Sequence, residues 1–271
     1  MIKLLKANFS RLKKELSLWI VAGVTLALTV PKIVASYKWL ENVKLDDVLF
    51  EMIPFIGVLY AVFIALYIGK EYSDKAMRNK LIVGHKRENI YLANFITCFF
   101  GSLIILSMFL LGKFCVGVPL VGGWKGEIST LITYILIIVC FTAAIASVLT
   151  LLCMLCSKHA VSAVLAITIA LLLMVIASVI YNALSEPEIT RDVHMTLNGM
   201  ELGDPMPNPL YVSGGQRTVY EFLMQFLPTG QGILMANTEI THPVLNIIFS
   251  IIITVTANLC GIIAFKKKDL K

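Results

Sequence analysis

The chain has 271 residues, 58% hydrophobic and 15% charged, with a mean hydropathy of +0.84. Soluble domains carry about 45–50% apolar residues, so this composition excludes a water-soluble core and predicts an integral membrane protein. The net charge of +6 is spread along the chain and forms no single basic patch, which excludes nucleic acid as a partner.

Residues 2–16, IKLLKANFSRLKKEL, place Ile2, Leu5, Phe9, Leu12 and Leu16 at spacings of three and four. Lys3, Lys6, Arg11, Lys13 and Lys14 mostly occupy the other faces. The pattern predicts an amphipathic helix along the membrane surface, apolar side down, its basic groups toward anionic lipid. A bilayer core about 30 Å thick takes roughly 20 mostly apolar residues per helix. The first such run is Leu16–Ala35, where Pro31 and Lys32 fall near one end; Lys32 can snorkel to the headgroups there. The basic start and the small residues Ala35 and Ser36 also suit a secretory leader. With Met1 heading the sequence, the segment is read as a retained span.

The second run, Val48–Gly69, is continuously apolar and does not alternate in period two, so helices are expected and a barrel is not. The connector that follows, GKEYSDKAMRNKLIVGHKRENIY (Gly69–Tyr91), is dense in charge. Glu71 and Lys75, and Asp74 and Arg78, are four apart with the acid first, which predicts a helix over 70–84. Gly84 offers its left-handed stop. Met77, Leu81 and Ile82 form a small apolar edge. Two readings stand open: a solvated loop that only fixes topology, or a lever on which a cytoplasmic protein docks.

Three further runs are Tyr91–Val118, Ile128–Cys156 and Ala160–Leu184. All six cysteines lie within or beside apolar runs. Cys153 and Cys156 form a C-x-x-C with no second Cys or His pair, so packing is read there and no metal. Ala143, Ala146 and Ser147 give the small-residue spacing of close helix packing. Ser147 and Thr150 have no base within a helical turn, and no clustered acid–base or metal motif occurs, so no enzyme is expected. Span interiors carry almost no ionisable group: Glu51 and Lys113 lie near outer ends, and His85, His159, His194 and His242 fall in connectors. Gradient-driven transport would need such groups at mid-membrane.

Residues 185–243 are rich in Pro and Gly and lack Cys, so no disulfide framework is expected. MTLNGMEL (Met195–Leu202) suggests a β-hairpin around Asn-Gly. TVYEFLMQF carries Val219, Phe222, Leu223 and Phe226 on one stripe, a short amphipathic helix tucked against the spans. Its acids far outnumber its two arginines, a balance that suits the outer side or an exit surface. A sixth run, Val244–Phe265, leads into a basic tail. With both termini cytoplasmic, sixteen of the 23 Lys and Arg residues fall inside and seven outside, as the positive-inside rule requires. The expected organisation is 1–184, interfacial helix and five spans; 185–243, extracellular segment; 244–271, sixth span and tail.

The stretch GKEYSDKAMRNKLIVGHKRENIYLANF resembles the segment after the second span in permease subunits of type-2 ABC transporters. The matching residues are Glu71, Tyr72, Arg78, Asn79, Lys80, Leu81, Gly84, Arg87 and Tyr91. FLPTGQGILM (Phe226–Met235) is similar to the family's segment before the last span, and the six-span layout covers the whole chain. The resemblance implies that residues 70–84 form a coupling helix seated on a separate ABC ATPase subunit, with Lys75 among the contacting residues. It implies a second permease subunit, identical or paralogous, with the second and fifth spans lining the shared interface. Tyr60, Phe63, Tyr67 and Ser178 would then face a translocation path. Similar members export lantibiotics, bacteriocins and amphipathic toxins, which implies a peptide or hydrophobic substrate and a bacterial cytoplasmic membrane. No G-x-x-x-x-G-K-[ST] loop occurs; GVPLVGGWKGE (Gly117–Glu127) lacks the Lys-Ser/Thr ending. This chain is therefore expected to bind no cofactor, with ATP and Mg held by the ATPase partner. The competing readings are a membrane scaffold or sensor that recruits a cytoplasmic partner, and a gradient-driven carrier or channel.

Overall fold

The structure is a computed structural model that describes residues 1–39, 43–156, 158–196 and 199–268. The Leu197–Asn198 turn and Lys271 of the tail lie outside the described residues. An amphipathic helix, α1 (Ile2–Lys14), leads into α2 (Leu16–Trp39). A single turn, α3 (Leu45–Val48), precedes α4 (Ile53–Ser73) and the seven-residue α5 (Ala76–Ile82). The long helices α6 (Arg87–Val121), α7 (Ile128–Leu155) and α8 (His159–Ser185) follow. A hairpin of β1 (Ile189–Thr196) and β2 (Gly199–Pro207), then α9 (Gly214–Phe226) and α10 (Pro228–Ala236), lead to α11 (Pro243–Lys267). Six helices, α2, α4, α6, α7, α8 and α11, are long and apolar enough to cross a membrane. The fold is accordingly an all-α membrane bundle carrying one small hairpin.

Burial separates the spans. Helix α4 is the central post: its Tyr60, Phe63, Ile64, Tyr67 and Ile68 are fully buried, and it packs against α2, α6, α7 and α8. Only 22% of the most apolar windows of α8 and α11 is covered, leaving their Val, Ile and Leu residues facing outward, as lipid permits. Close approach fixes the packing at Gly101 of α6, where a β-carbon would overlap the ring of Phe63. Pro31 sits inside α2 without ending it, and the helix continues to Trp39.

The second span starts later than its hydropathy suggests. Apolar residues from Val48 onward predict a span from that position, but Leu45, Val48, Leu49 and Phe50 fold back as a buried plug over the bundle end. The backbone N–H of Lys44 donates to Asp47, and that of Lys125 donates to Asp46, tying this plug to the α6–α7 loop. Phe50 meets Trp124 and Tyr134 edge to face.

At the same end the hairpin predicted around Asn198 is longer than the sequence suggests. β1 and β2 pair antiparallel from Ile189↔Pro207 to Thr196↔Gly199, with an irregularity between Arg191 and Val193. Helix α9 forms as predicted, though its most buried residue is Met224, off the expected stripe. Of that stripe, Phe222 and Phe226 stack on each other and abut Phe249 of α11, while Val219 remains exposed.

Helix α10 has no counterpart in the expected elements. Its Pro228–Ile233 stretch is buried inside the bundle against α4, α7 and α8. The fully buried amide of Gln231 donates to the carbonyls of Gln225 and Asn246 and accepts from the Ser250 hydroxyl. At Gly230 a β-carbon would lie 2.8 Å from Met224 Cα, so only glycine fits the α9–α10 corner. Replacing Gln231 with Leu strands two buried carbonyls and a hydroxyl. About 2 kcal/mol or more of stability should be lost, read as a lower thermal midpoint in detergent.

Candidate functional site: the charged connector

Helix α1, the end of α11 and the connector meet at one end of the bundle. Helix α4 runs on past the apolar core to Ser73, so Lys70–Ser73 belong to the span helix and do not begin a separate one. Lys75 then takes a left-handed backbone (φ 54°), and α5 starts at Ala76. The single helix expected over 70–84 is therefore two pieces with a turn between them, and the Glu71–Lys75 and Asp74–Arg78 pairs do not form. The physical reason is that Glu71 is claimed elsewhere. Its stop is as predicted: Gly84 (φ 90°) donates to Leu81 O and His85 to Lys80 O, the paired bonds of a glycine-terminated helix end.

Glu71 is fully buried. Its Oε1 receives Arg11 from α1 and Lys80 from α5, both at 2.6 Å, and its Oε2 accepts from the Asn94 amide of α6 at 2.7 Å. Asn8 of α1 joins the cluster, donating to Asn94 and accepting from Lys80. Arg11 also donates to the Tyr67 carbonyl and lies 4.1 Å over the Tyr67 ring. One carboxylate thus fastens four helices, α1, α4, α5 and α6, at a single point. Asn8 accounts for the position of α1: the face it buries is Leu4, Asn8 and Leu12, not the full apolar stripe read from the sequence, and Ile2 and Leu16 are exposed.

The C-terminal segment closes the same end. Arg87 donates to the carbonyls of Phe265, Lys266 and Lys268, capping α11. Lys268 donates to Tyr72 Oη and to the Met154 carbonyl, and lies 4.4 Å over the Tyr72 ring. Burial pushes the Lys268 amine down to about 8, against a smaller opposing pull from Cys156. Tyr72 itself donates to Met154 O at 2.6 Å.

The expected contact residues therefore divide. Glu71, Tyr72, Lys80 and Arg87 serve intramolecular bonds, and Leu81 is half-buried against the core. Lys75, Arg78, Asn79 and Gly84 are exposed at the connector tip. The apolar edge shifts too: Met77 is buried, while Ile82 and Val83 stand 73% and 75% exposed between Arg78 and Lys86. Asn8, Arg11, Asn94 and Val83 had no place in the sequence-based set. The signal available was polarity out of context, since Asn8 interrupts an apolar face and Asn94 sits inside a span.

Of the four residues expected to face a path, three are enclosed within the bundle of this chain. Tyr60, Phe63 and Tyr67 have no exposure, because α4 is the central post of the bundle. The Tyr60 hydroxyl pairs with Thr142 Oγ1, and that of Tyr67 donates to Asn8 O. Ser178 is half-buried and donates back to Met174 O. A cavity of about 210 Å³ does lie between α4, α7, α8 and α11, bounded by Gly57, Val148, Ala170, Phe226 and Thr229.

At the opposite end, Lys113 of α6 is fully buried and Glu51 is its counterion at 3.9 Å, with Lys32 of α2 on the same carboxylate at 2.6 Å. Glu51→Gln should unfold the protein more readily by about 3 kcal/mol or more, since it leaves a buried cation unpaired. Adding Lys113→Met should recover much of that loss in a thermal melt. Among the described residues no group of three His, Cys, Asp or Glu side chains is placed to hold a metal ion. Neither a family model nor a curated protein sequence matches the chain.

Proposed function

We propose that this chain is the membrane-spanning subunit of an ABC exporter, driven by a separate ATPase that seats on the α5 tip. The observation that carries the reading is the pair Ile82 and Val83, exposed outside the spans and flanked by Arg78, Asn79 and Lys86. Exposed apolar residues rimmed by polar ones suit a protein interface. The cluster behind them supports transmission of force: a push on α5 reaches Lys80, hence Glu71, and through it α4, α1 and α6 together. The basic end is the cytoplasmic one on this reading, with both termini inside a bacterial cytoplasmic membrane. ATP and Mg belong to the ATPase, a second permease subunit completes the assembly, and amphipathic peptides are the cargo.

The test is purification of the chain from its native membrane followed by reconstitution into vesicles. A companion chain bearing a nucleotide-binding loop, together with ATP-dependent export of an amphipathic peptide, is the expected result. Peptide movement by the chain alone under a proton or sodium gradient would overturn the proposal, and so would docking of a companion that hydrolyses no nucleotide.

A further inference from the structure

We infer that the bundle end remote from the connector carries a binding site for a cationic amphipath, a protonated amine borne on an apolar body such as a lysyl peptide. Between the end of α8, helix α9, the end of α10 and the segment before α11 lies an open bowl of about 700 Å³. Its floor is apolar: Leu184, Met224 and Leu234. Met224 is buried, and Ala177, Ile180 and Ile233 complete its packing, so the floor rests on a core of its own.

The wall is polar and carries an excess of acid. Glu221 is held by Arg217 one helical turn away, at 3.1 Å, which neutralises it. Glu239 has no cationic partner among the described residues. One of its oxygens accepts from Tyr181 Oη at 3.2 Å, and the side chain is otherwise exposed. The carboxylates of Glu221 and Glu239 and the guanidinium of Arg217 therefore sum to a formal charge of −1. The side chains of Gln225, Thr241 and His242 also line the bowl, and none makes a hydrogen bond among the described residues. An apolar floor below one uncompensated carboxylate and several free polar ends favours a ligand that presents both an apolar body and an ammonium group. A neutral apolar ligand would gain nothing from the exposed Glu239, and an anion would meet a wall of net negative charge.

The site does not depend on how the connector is used, so its test stands apart from that of the exporter reading. The probes are the acetylated tripeptide amide Phe-Lys-Phe and its counterpart with norleucine in place of lysine, titrated against the full chain in nanodiscs. The lysine peptide should bind, weaken as salt is raised, and weaken about tenfold in Glu239→Gln. In Arg217→Gln, which releases Glu221 into the bowl, it should bind several-fold tighter, a gain that damaged folding cannot imitate. Equal binding of the two peptides to the native chain would overturn the inference. So would a lysine-peptide affinity unmoved by both substitutions.

Discussion

Glu71→Gln is expected to be the most damaging single substitution in the chain. Arg11 and Lys80 would keep their charges beside a buried position that no longer carries one. Removing one partner of a buried ion pair costs about 3–5 kcal/mol, enough to dissolve the packing of α1 and α5 on α4 in a protein of ordinary stability. Thermal unfolding in detergent measures the loss, and protease cleavage near Lys75 and Lys86 reports release of the connector. Replacing the ions together, as Arg11→Met, Glu71→Leu and Lys80→Met, should restore most of the midpoint, because a matched apolar set carries no stranded charge. If Glu71→Gln melts within a degree of the native chain, the cluster does not hold these helices. On the exporter proposal, a stable triple variant that still associates with the proposed ATPase but exports poorly would assign the ions to transmission of force.

The second large effect is expected at the connector tip. The paired change Ile82→Asp and Val83→Asp should leave the thermal midpoint nearly unchanged, because both side chains are about three-quarters exposed and surface substitutions usually stay within about 0.5 kcal/mol. Association with the ATPase proposed to seat there should fall by about 100-fold or more, as interface anchors are worth roughly 2 kcal/mol each when desolvated. ATP-dependent export should fall with it. Leu81 is a poorer probe, since its half-buried side chain packs against the bundle and its loss would confuse stability with docking. Intact association and transport in the paired variant would remove α5 from the interface.

Much of the fold was legible because lipid imposes a local rule: each span takes a run of roughly 20 mostly apolar residues. The six runs needed no distant information, and Gly84 marked a helix end that the backbone then used. What escaped notice depended on partners far away in sequence. Glu71 looks like half of a surface pair with Lys75, and nothing local shows that Arg11, sixty residues earlier, displaces that partner. Tyr60 and Tyr67 look equally suited to a path, to lipid or to a core; the choice fell to the core because α4 is surrounded on several sides. Helix α10 was hidden by its own composition. Pro228, Gly230 and Gly232 read as loop, and the bonds of Gln231 to Gln225, Asn246 and Ser250 and of Thr229 to Leu173 make its burial tolerable.

The bonds that gather α1, the connector and the end of α11 have a mechanical corollary. Arg11 clasps Glu71, Arg87 grips the last turn of α11, and Lys268 spans from Tyr72 to Met154, so the helices are cinched together at one rim. The other rim has ties of its own, Glu51 with Lys32 and Lys113 and Asp46 with the Lys125 backbone, beside apolar contact and a Pro- and Gly-rich strap. A helix gripped at one rim acts as a lever about that grip. Helix α11, 25 residues and so about 38 Å long, is held at its last turn by Arg87, and a tilt of about 5° there would carry its other end roughly 3 Å. A slight turn at the gripped rim is therefore a displacement of ångströms at the far one.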